Sequence, residues 1–414
     1  MNIGLFTDTF MPQINGVGSS VTTLARALRA KGHNVYIFAP WAPDTEQNEE
    51  EKYVIRMPSM PFIFLKGFRV GLCYPPTAIK RIHKLKLDIV HTQTEFSVGI
   101  FGRILAKACH IPVIHTYHTM YEDYVHYILG GRILDKDDAK AMSKICCNSA
   151  QAVIAPTDKV YNTLRSYGVT KPIYTIPTGI SIEKFRKNNF SGDKIQFLRQ
   201  KYGLGEDIPT VLVLGRIAKE KSMDVVIKAM SLLLEKMPEA KLVIVGDGPY
   251  REILENMADD LGIADKVIFT GAVPWENIGI YYQLGDVFVT ASVSETQGLT
   301  FAESMAAGIP IIAKKDSSIE GVIVDGKTGV VFENDNELSS KIYSLLSDKD
   351  KRRAISENAY SFAESLSAEA FADRVESLYK EILNDPDKFG ITHIRRLHLP
   401  RPIKFSQRKH HHKL

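Results

Sequence analysis

Two series of short apolar runs constrain this chain more than any other feature. The first is "NIGLFTD", "NVYIFAP", "LDIVHTQ", "IPVIHTYH", "AVIAPT" and "IYTIPTG". The second restarts with "IPTVLVLGRI" and continues through "AKLVIVGDG", "KVIFTG", "DVFVTAS", "IPIIAKK" and "GVVF". Such runs, apolar on both faces, are strands buried on both sides; the helix-patterned segments between most of them supply the cover. The first such segment, "GVGSSVTTLARALRAKG", sets Leu24 and Leu28 at helical spacing and stops at Gly32. The pattern predicts an α/β chain of two doubly wound parallel domains facing each other across a cleft. Its boundary falls near 180–206, where "SIEKFRKNNFSGDKIQFLRQKYGLGED" reads as a charged connector. The 414 residues suit two or three domains; the pattern divides them into 1–179, 206–365, helices over about 366–387 that join the first domain, and a basic tail at 388–414.

Composition narrows the classes. Hydrophobic residues make up 44% and charged residues 24%, as in ordinary globular proteins. A net charge of +4 does not call for a nucleic-acid partner. Cys73, Cys109, Cys146 and Cys147 form no zinc-like spacing; the adjacent Cys146 and Cys147 read as buried free thiols of a helix in a reducing compartment. The start lacks the basic and apolar regions of a signal peptide, and no run approaches the roughly 18 apolar residues of a membrane span. The expected location is cytoplasmic, peripheral on the inner face of the cell membrane.

The peripheral part of that expectation rests on three stretches. Residues 57–76 crowd Phe62, Ile63, Phe64, Leu65 and Phe68 beside Lys66 and Arg69. Residues 79–87 set Lys80, Arg81, Lys84 and Lys86 against Ile79, Ile82, Leu85 and Leu87. That is the pattern of a basic interfacial helix, and equally of a surface helix covering a sheet. After Asp387 acidic residues cease while Lys388, Arg395, Arg396, Arg401, Lys404, Arg408, Lys409 and Lys413 follow. This is either a plain flexible tail or one drawn to anionic lipid at about 1 kcal/mol per basic residue.

Ligands of open parallel sheets bind beyond the carboxyl ends of the strands, which directs attention to the residues after each run. "LGRIAKEKSMD" places Arg216 and Lys221 there, a planar fork and a mobile point charge suited to a diphosphate. "VGDGPYREILE" offers Gly246 and Gly248 for a tight turn and Pro249 for a first helical position. "SETQGLTFAESMAAGIP" starts a helix at Gly298, Leu299 and Thr300, whose free N–H groups favour an anion. Glu303 falls on that helix and Glu295 on the loop before it. Carboxylates beside an anion make sense when they accept hydrogen bonds from sugar or ribose hydroxyls; helix capping is the plainer role for Glu295. In the first half, "MPQINGVGSS" brings Gly16 to a helix start, and "IHTYHTMYEDY" ends a strand with His118 among polar and aromatic groups.

Taken in order, "FTDTFMPQINGVG", "HTYHTMYEDY", "GRIAKEKSMD", "VGDGP" and "SETQGLTFAESMAAGIP" resemble the retaining nucleotide-sugar glycosyltransferases of the GT-B fold, family 4. Glu295 and Glu303 stand at the two ends of that family's paired-glutamate element. The resemblance implies that Glu303 holds the donor ribose and Glu295 hydroxyls of the transferred sugar. It implies that Arg216 and Lys221 bind the diphosphate with the amides of Gly298, Leu299 and Thr300, while Gly16 approaches from the other domain. His118 would contact the sugar near the reacting carbon, and the last helices would cross back to the first domain. Within the family, "HTYHTMYEDYVHYI" is similar to bacterial diacylglycerol glucosyltransferases, which implies UDP-glucose as donor, diacylglycerol as acceptor and an anionic membrane surface as partner. No cofactor is required, and no metal motif is evident. Two departures stand out: Ser222 where a glycine often follows the lysine, and Thr178 in "IPTGI" where the family commonly has Asn. Other readings stay open: another donor or acceptor, such as mannosyl transfer to phosphatidylinositol or a soluble acceptor, or a nucleotide-sugar epimerase or hydrolase. A dinucleotide-binding dehydrogenase is set aside, because "PQINGVGSS" lacks the G-x-G-x-x-G spacing.

Overall fold

The computed structural model describes residues 1–12, 15–43, 45, 50–61, 69–71, 82–123 and 135–391. Phe62 to Phe68, Ile79, Lys80, Arg81, Cys73 and the basic tail beyond Ile391 lie outside the described residues.

The first half runs β1 (Asn2–Phe6), α1 (Gly16–Ala30), β2 (Asn34–Pro40), β3 (Val54–Met57), β4 (Ser59–Pro61), β5 (Arg69–Gly71), β6 (Ile89–Thr92), α2 (Ser97–Cys109), β7 (Val113–Thr116), α3 (Lys136–Asn148), β8 (Ala152–Ala155), α4 (Asp158–Ser166) and β9 (Ile173–Thr175). Seven of these strands form a parallel sheet in the order β3-β2-β1-β6-β7-β8-β9, while β4 and β5 pair antiparallel beside it.

The second half runs α5 (Gly192–Lys201), β10 (Thr210–Leu214), α6 (Met223–Leu234), β11 (Lys241–Val245), α7 (Arg251–Asp260), β12 (Val267–Gly271), α8 (Ile278–Tyr282), β13 (Val287–Thr290), α9 (Leu299–Ala306), β14 (Ile311–Lys314), β15 (Val330–Phe332), α10 (Leu338–Ser347), α11 (Lys349–Ala363) and α12 (Ala368–Asn384). Its six strands are again parallel, in the order β12-β11-β10-β13-β14-β15. In each sheet the strand order reverses once, between β1 and β6 and between β10 and β13, and that reversal opens a crevice at the carboxyl ends.

The apolar runs form these strands because both faces are packed. In the second sheet Val211, Ile244 and Val289 lie with α6 and α10, while Leu212, Val243 and Phe288 lie with α9 and α11. In the first sheet Phe6, Phe38 and Val90 pack with Phe101 and Leu105 of α2. The opposite face, Ile3, Leu5, Ile37 and Ile114, packs with Leu24 and Leu28 of α1 and with Phe371, Val375, Leu378 and Tyr379 of α12. The last helix therefore covers the first sheet, as expected.

Two contacts fix α12 there. Tyr379 Oη lies 2.6 Å from His91 Nδ1 at the end of β6, both side chains fully buried. Glu376 lies 2.6 Å from Lys380, 3.0 Å from Lys31 at the end of α1 and 3.1 Å from His33. The chain reaches α12 beside its own outward crossing: Ile180 bridges Ser367, and Ile180 N donates to Leu366 O at 2.9 Å. A Cβ on Gly179 would stand 2.5 Å from Ser367 O, so only glycine fits.

Lys380, then Lys31, holds the Glu376 carboxyl down to about 2 from its ordinary 4.5. A depressed carboxyl contributes stability that is complete above the unfolded value and lost as pH falls toward the folded one. The wild type should therefore lose more thermal stability than Glu376→Gln between about pH 4.5 and about pH 2. Parallel melting curves across that window would show an Lys31–Glu376 contact of no consequence.

Candidate active site

Three loops at the carboxyl edge of the second sheet are built against one another. After β10, Gly215 and Ile217 lie so close to the Gly-Asp-Gly turn that a Cβ on Gly246 would sit 1.9 Å from Gly215 O, and one on Gly248 2.2 Å from Ile217 O. Ile217 N donates to Asp247 O at 2.9 Å and closes this crossing. The following helix opens at Arg251, not at Pro249 as its sequence suggests; Pro249 belongs to the turn.

The second join runs between the loops after β10 and β13. Lys221 ends a short 3-10 turn, and its Nζ lies 2.5 Å from Glu295 Oε1. Ser292 and Ser294 hydroxyls each donate to Glu220 O at 3.4 Å. Burial pushes the Glu295 carboxyl up, but Lys221 outweighs it and holds the group below its ordinary value. Glu295 does not cap α9. That helix starts after Gly298, which takes a left-handed φ of 71° and leaves the first turn without a side-chain cap. Arg216 pairs with Glu220 of the same loop. Ser222, the residue at the family's glycine position, has a φ of 50°.

Glu303 lies one turn into α9, buried, and accepts from Tyr282 Oη at 2.7 Å. Burial raises its pKa; the Tyr282 hydrogen bond and the charge of Lys184 oppose this. Lys184 was not singled out in the sequence. Its ammonium lies over the Trp275 ring, without a hydrogen-bond partner among the described residues, and burial brings its pKa down to about 7.

Across from these loops stands the first sheet. A Cβ on Gly16, at the start of α1, would meet Leu299 Cδ1 at 3.7 Å, so the two helix starts face each other. His118, after β7, accepts at its carbonyl from Thr296 Oγ1 at 3.0 Å, next to Glu295. Thr157 Oγ1 donates to Thr296 O at 2.8 Å, and Lys159 pairs with Asp316 at 2.8 Å. Gln297 spans the same gap with two bonds to the Thr178 backbone, 2.7 and 2.9 Å. At the unusual Thr178 those two bonds therefore use main-chain atoms only. The structure thus brings Gly16 to Leu299 at the start of α9, His118 to the loop carrying Glu295, and Lys221 to Glu295; Glu303 sits on α9 turned to Tyr282, and Arg216 turns to Glu220.

The wall carrying His118 rests on polar residues that periodicity does not reveal. Gln93, Thr94 and Glu95 follow β6 and are buried. His118 Nε2 lies 2.8 Å from Gln93 Oε1, so the ring N–H there donates and Nδ1 remains an acceptor. Burial, then the neighbouring His115, pushes the His118 pKa down to about 3, which keeps the ring neutral near pH 7. Glu95 lies 3.0 Å from His115 Nε2 and accepts from Tyr121 Oη. Asp8, at the end of β1, accepts from Val98 N at 2.7 Å, Gly99 N at 3.3 Å and the Thr94 and Ser97 hydroxyls, each at 2.6 Å. It caps α2 from another strand, since the local cap residue, Phe96, has no such oxygen.

Comparison with known proteins decides what this cleft belongs to. Residues 14–184 match the Glycosyltransferase Family 4 model, and residues 194–362 match Glycosyl transferases group 1. An alpha-monoglucosyldiacylglycerol synthase of Streptococcus pneumoniae is 38% identical over 92% of this chain and 86% of its own length. The chain belongs to glycosyltransferase family 4. A second family 4 relative, the alpha-monoglucosyldiacylglycerol synthase of Acholeplasma laidlawii, is 33% identical over 94% of this chain and 99% of its own. The Anabaena protein HepE, solved in complex with UDP and glucose, superposes with a TM-score of 0.76 at 18% identity, covering 92% of this chain and 99% of that one. The GT-B architecture of family 4 is thus the fold seen here, and the chain is a glycosyltransferase. Among the described residues no three His, Cys, Asp or Glu side chains gather as a cation site, and no helix is long and apolar enough to cross a membrane.

The strained Ser222 allows a direct test of the local geometry. Removing a side chain from a left-handed residue relieves about 1 kcal/mol. Ser222→Gly should raise the urea midpoint accordingly, and an unchanged or lowered midpoint would count against that conformation.

Proposed function

We propose that this chain is a retaining glucosyltransferase that moves glucose from UDP-glucose to the hydroxyl of 1,2-diacylglycerol, giving monoglucosyldiacylglycerol. The observation that carries the reading is the Lys221–Glu295 pair beside the open start of α9, facing Gly16 and His118. A cation and free helix N–H groups suit a diphosphate, and a carboxylate held charged by that cation suits hydroxyls. The acceptor comes from the two monoglucosyldiacylglycerol synthases that the chain resembles over nearly its whole length. Residues 1–179 with 366–387 form the acceptor side, residues 206–365 the donor side. The enzyme works in the cytoplasm on the inner face of the membrane, where its acceptor resides.

The residues then take distinct roles. Glu303 holds the ribose, Arg216 and Lys221 the diphosphate, with the amides of Gly298, Leu299 and Thr300, and Gly16 closes over it. Glu295 binds hydroxyls of the glucose. Neutral His118 offers Nδ1 as an acceptor to the sugar rather than a proton. The bond from the anomeric carbon to the diphosphate oxygen breaks first, and the cations and helix N–H groups stabilise the charge that develops on the leaving group. The lipid hydroxyl attacks from the same face, its proton passing to the departing phosphate oxygen. Closing the cleft aligns the reactants and excludes water. Trapping of a glycosyl-Glu295 adduct would replace this with a covalent route.

Purified protein, radiolabelled UDP-glucose and vesicles containing diacylglycerol should yield label in a monoglycosylated lipid. Label remaining in UDP-glucose or free glucose would overturn the reading. Glu303→Ala should raise the donor KM, and Glu295→Ala should lower kcat by roughly a hundredfold without unfolding the protein. Normal kinetics in both would remove these assignments. Transfer should persist in EDTA; loss of activity restored by magnesium would contradict the metal-independent step.

A further inference from the structure

The outer face of α2 carries an apolar line that the catalytic cleft does not use. Phe96, Ile100 and Ile104 are 42%, 46% and 45% exposed, although Val98, Phe101 and Leu105 of the same segment are buried in the core. Positions four apart lie one above another on a helix, so Ile100 and Ile104 form a stripe, with Phe96 just before the first turn at its start. Its two ends differ in character. At the first, the Phe96 ring meets Tyr121 edge-on at 5.4 Å, and Tyr121 is bonded to Glu95 in the wall that carries His118. At the second, exposed Lys107 follows on α2, and His83 Nε2 lies 3.9 Å from Cys109 Sγ. That contact brings the exposed Lys84 and Lys86 alongside. The stripe thus runs from the cleft wall to a basic rim.

We propose that this face of α2 docks on an anionic lipid bilayer, the stripe entering the boundary between headgroups and acyl chains while Lys84, Lys86 and Lys107 meet anionic headgroups. An aligned apolar face beside a basic rim is the composition such a surface requires. Continuity with the cleft wall distinguishes it from a chance exposed patch: a bilayer seated on α2 brings a lipid hydroxyl at headgroup depth to the side of the cleft holding His118. The inference rests on the lipid-acceptor reading above and adds to it the surface that meets the membrane. It joins the basic segment at 82–87 to α2.

The test uses the full chain and vesicles of phosphatidylcholine with phosphatidylglycerol. Ile100→Glu/Ile104→Glu should reduce co-sedimentation with these vesicles by at least about tenfold. Lys84→Glu/Lys86→Glu/Lys107→Glu should weaken binding by about fivefold per charge and flatten its dependence on the phosphatidylglycerol fraction. Transfer to a short-chain diacylglycerol dissolved as monomer should proceed at the wild-type rate in the isoleucine variant, showing an intact fold and cleft. Vesicle binding equal to wild type in both variants would overturn the proposal. So would a wild-type dimer in light scattering that the isoleucine variant dissociates, since the stripe would then be covered by a second copy. A wild type that binds vesicles through α2 yet glucosylates no diacylglycerol would sink the acceptor reading and leave the docking surface standing.

Discussion

A parallel sheet needs cover on both faces, and the first sheet takes part of its cover from the far end of the chain. Until Phe371, Val375, Leu378 and Tyr379 arrive, Ile3, Leu5, Ile37 and Ile114 lack part of their packing, and His91 lacks the Tyr379 hydroxyl. The first half of the fold is therefore completed only after the second half has been traversed. This dependence also ties α12 to β6, the strand that carries His91 and from which Gln93 and Glu95 emerge.

The cleft handles charge differently on its two sides. Beside the second sheet, charges are kept and paired: Lys221 holds Glu295 ionised despite burial, and Arg216 is paired with Glu220. Beside the first sheet, the His118 ring is neutral. Burial removes the proton from His118, and the Gln93 amide orients what remains. The Glu95–His115 and Glu95–Tyr121 contacts hold the wall in shape.

The sequence made the strands readable because their signal is local: each apolar run is its own evidence. The loops with Gly246, Gly248 and Gly298 were readable for the same reason, since a glycine reports a backbone constraint at its own position. The polar scaffold was not. Asp8 is bonded to residues nearly ninety positions away, and nothing near it distinguishes a cross-strand helix cap from a turn aspartate. Gln93 and Glu95 carry no local sign of their partners, His115, His118 and Tyr121, which come from the next strand–loop unit. Pro249 shows the converse error: a local preference for a first helical turn yielded to the tight crossing of two loops. Exposure on α2 was hidden for a different reason. A helix apolar on most sides reads as core, and only packing shows which stripe is left outside.

The paired crossing at Ile180 and Ser367 has a mechanical meaning. Two bodies joined by one chain segment can swivel as well as open. Here two segments cross side by side, tied by a backbone hydrogen bond and packed so closely that Gly179 has no room for a side chain. Any relative movement of the sheets must bend both together, as a door with two adjacent pins can swing but resists torsion. Lys159–Asp316 and Gln297–Thr178 lie across the same gap as latches rather than pins, since side chains can part where a backbone cannot.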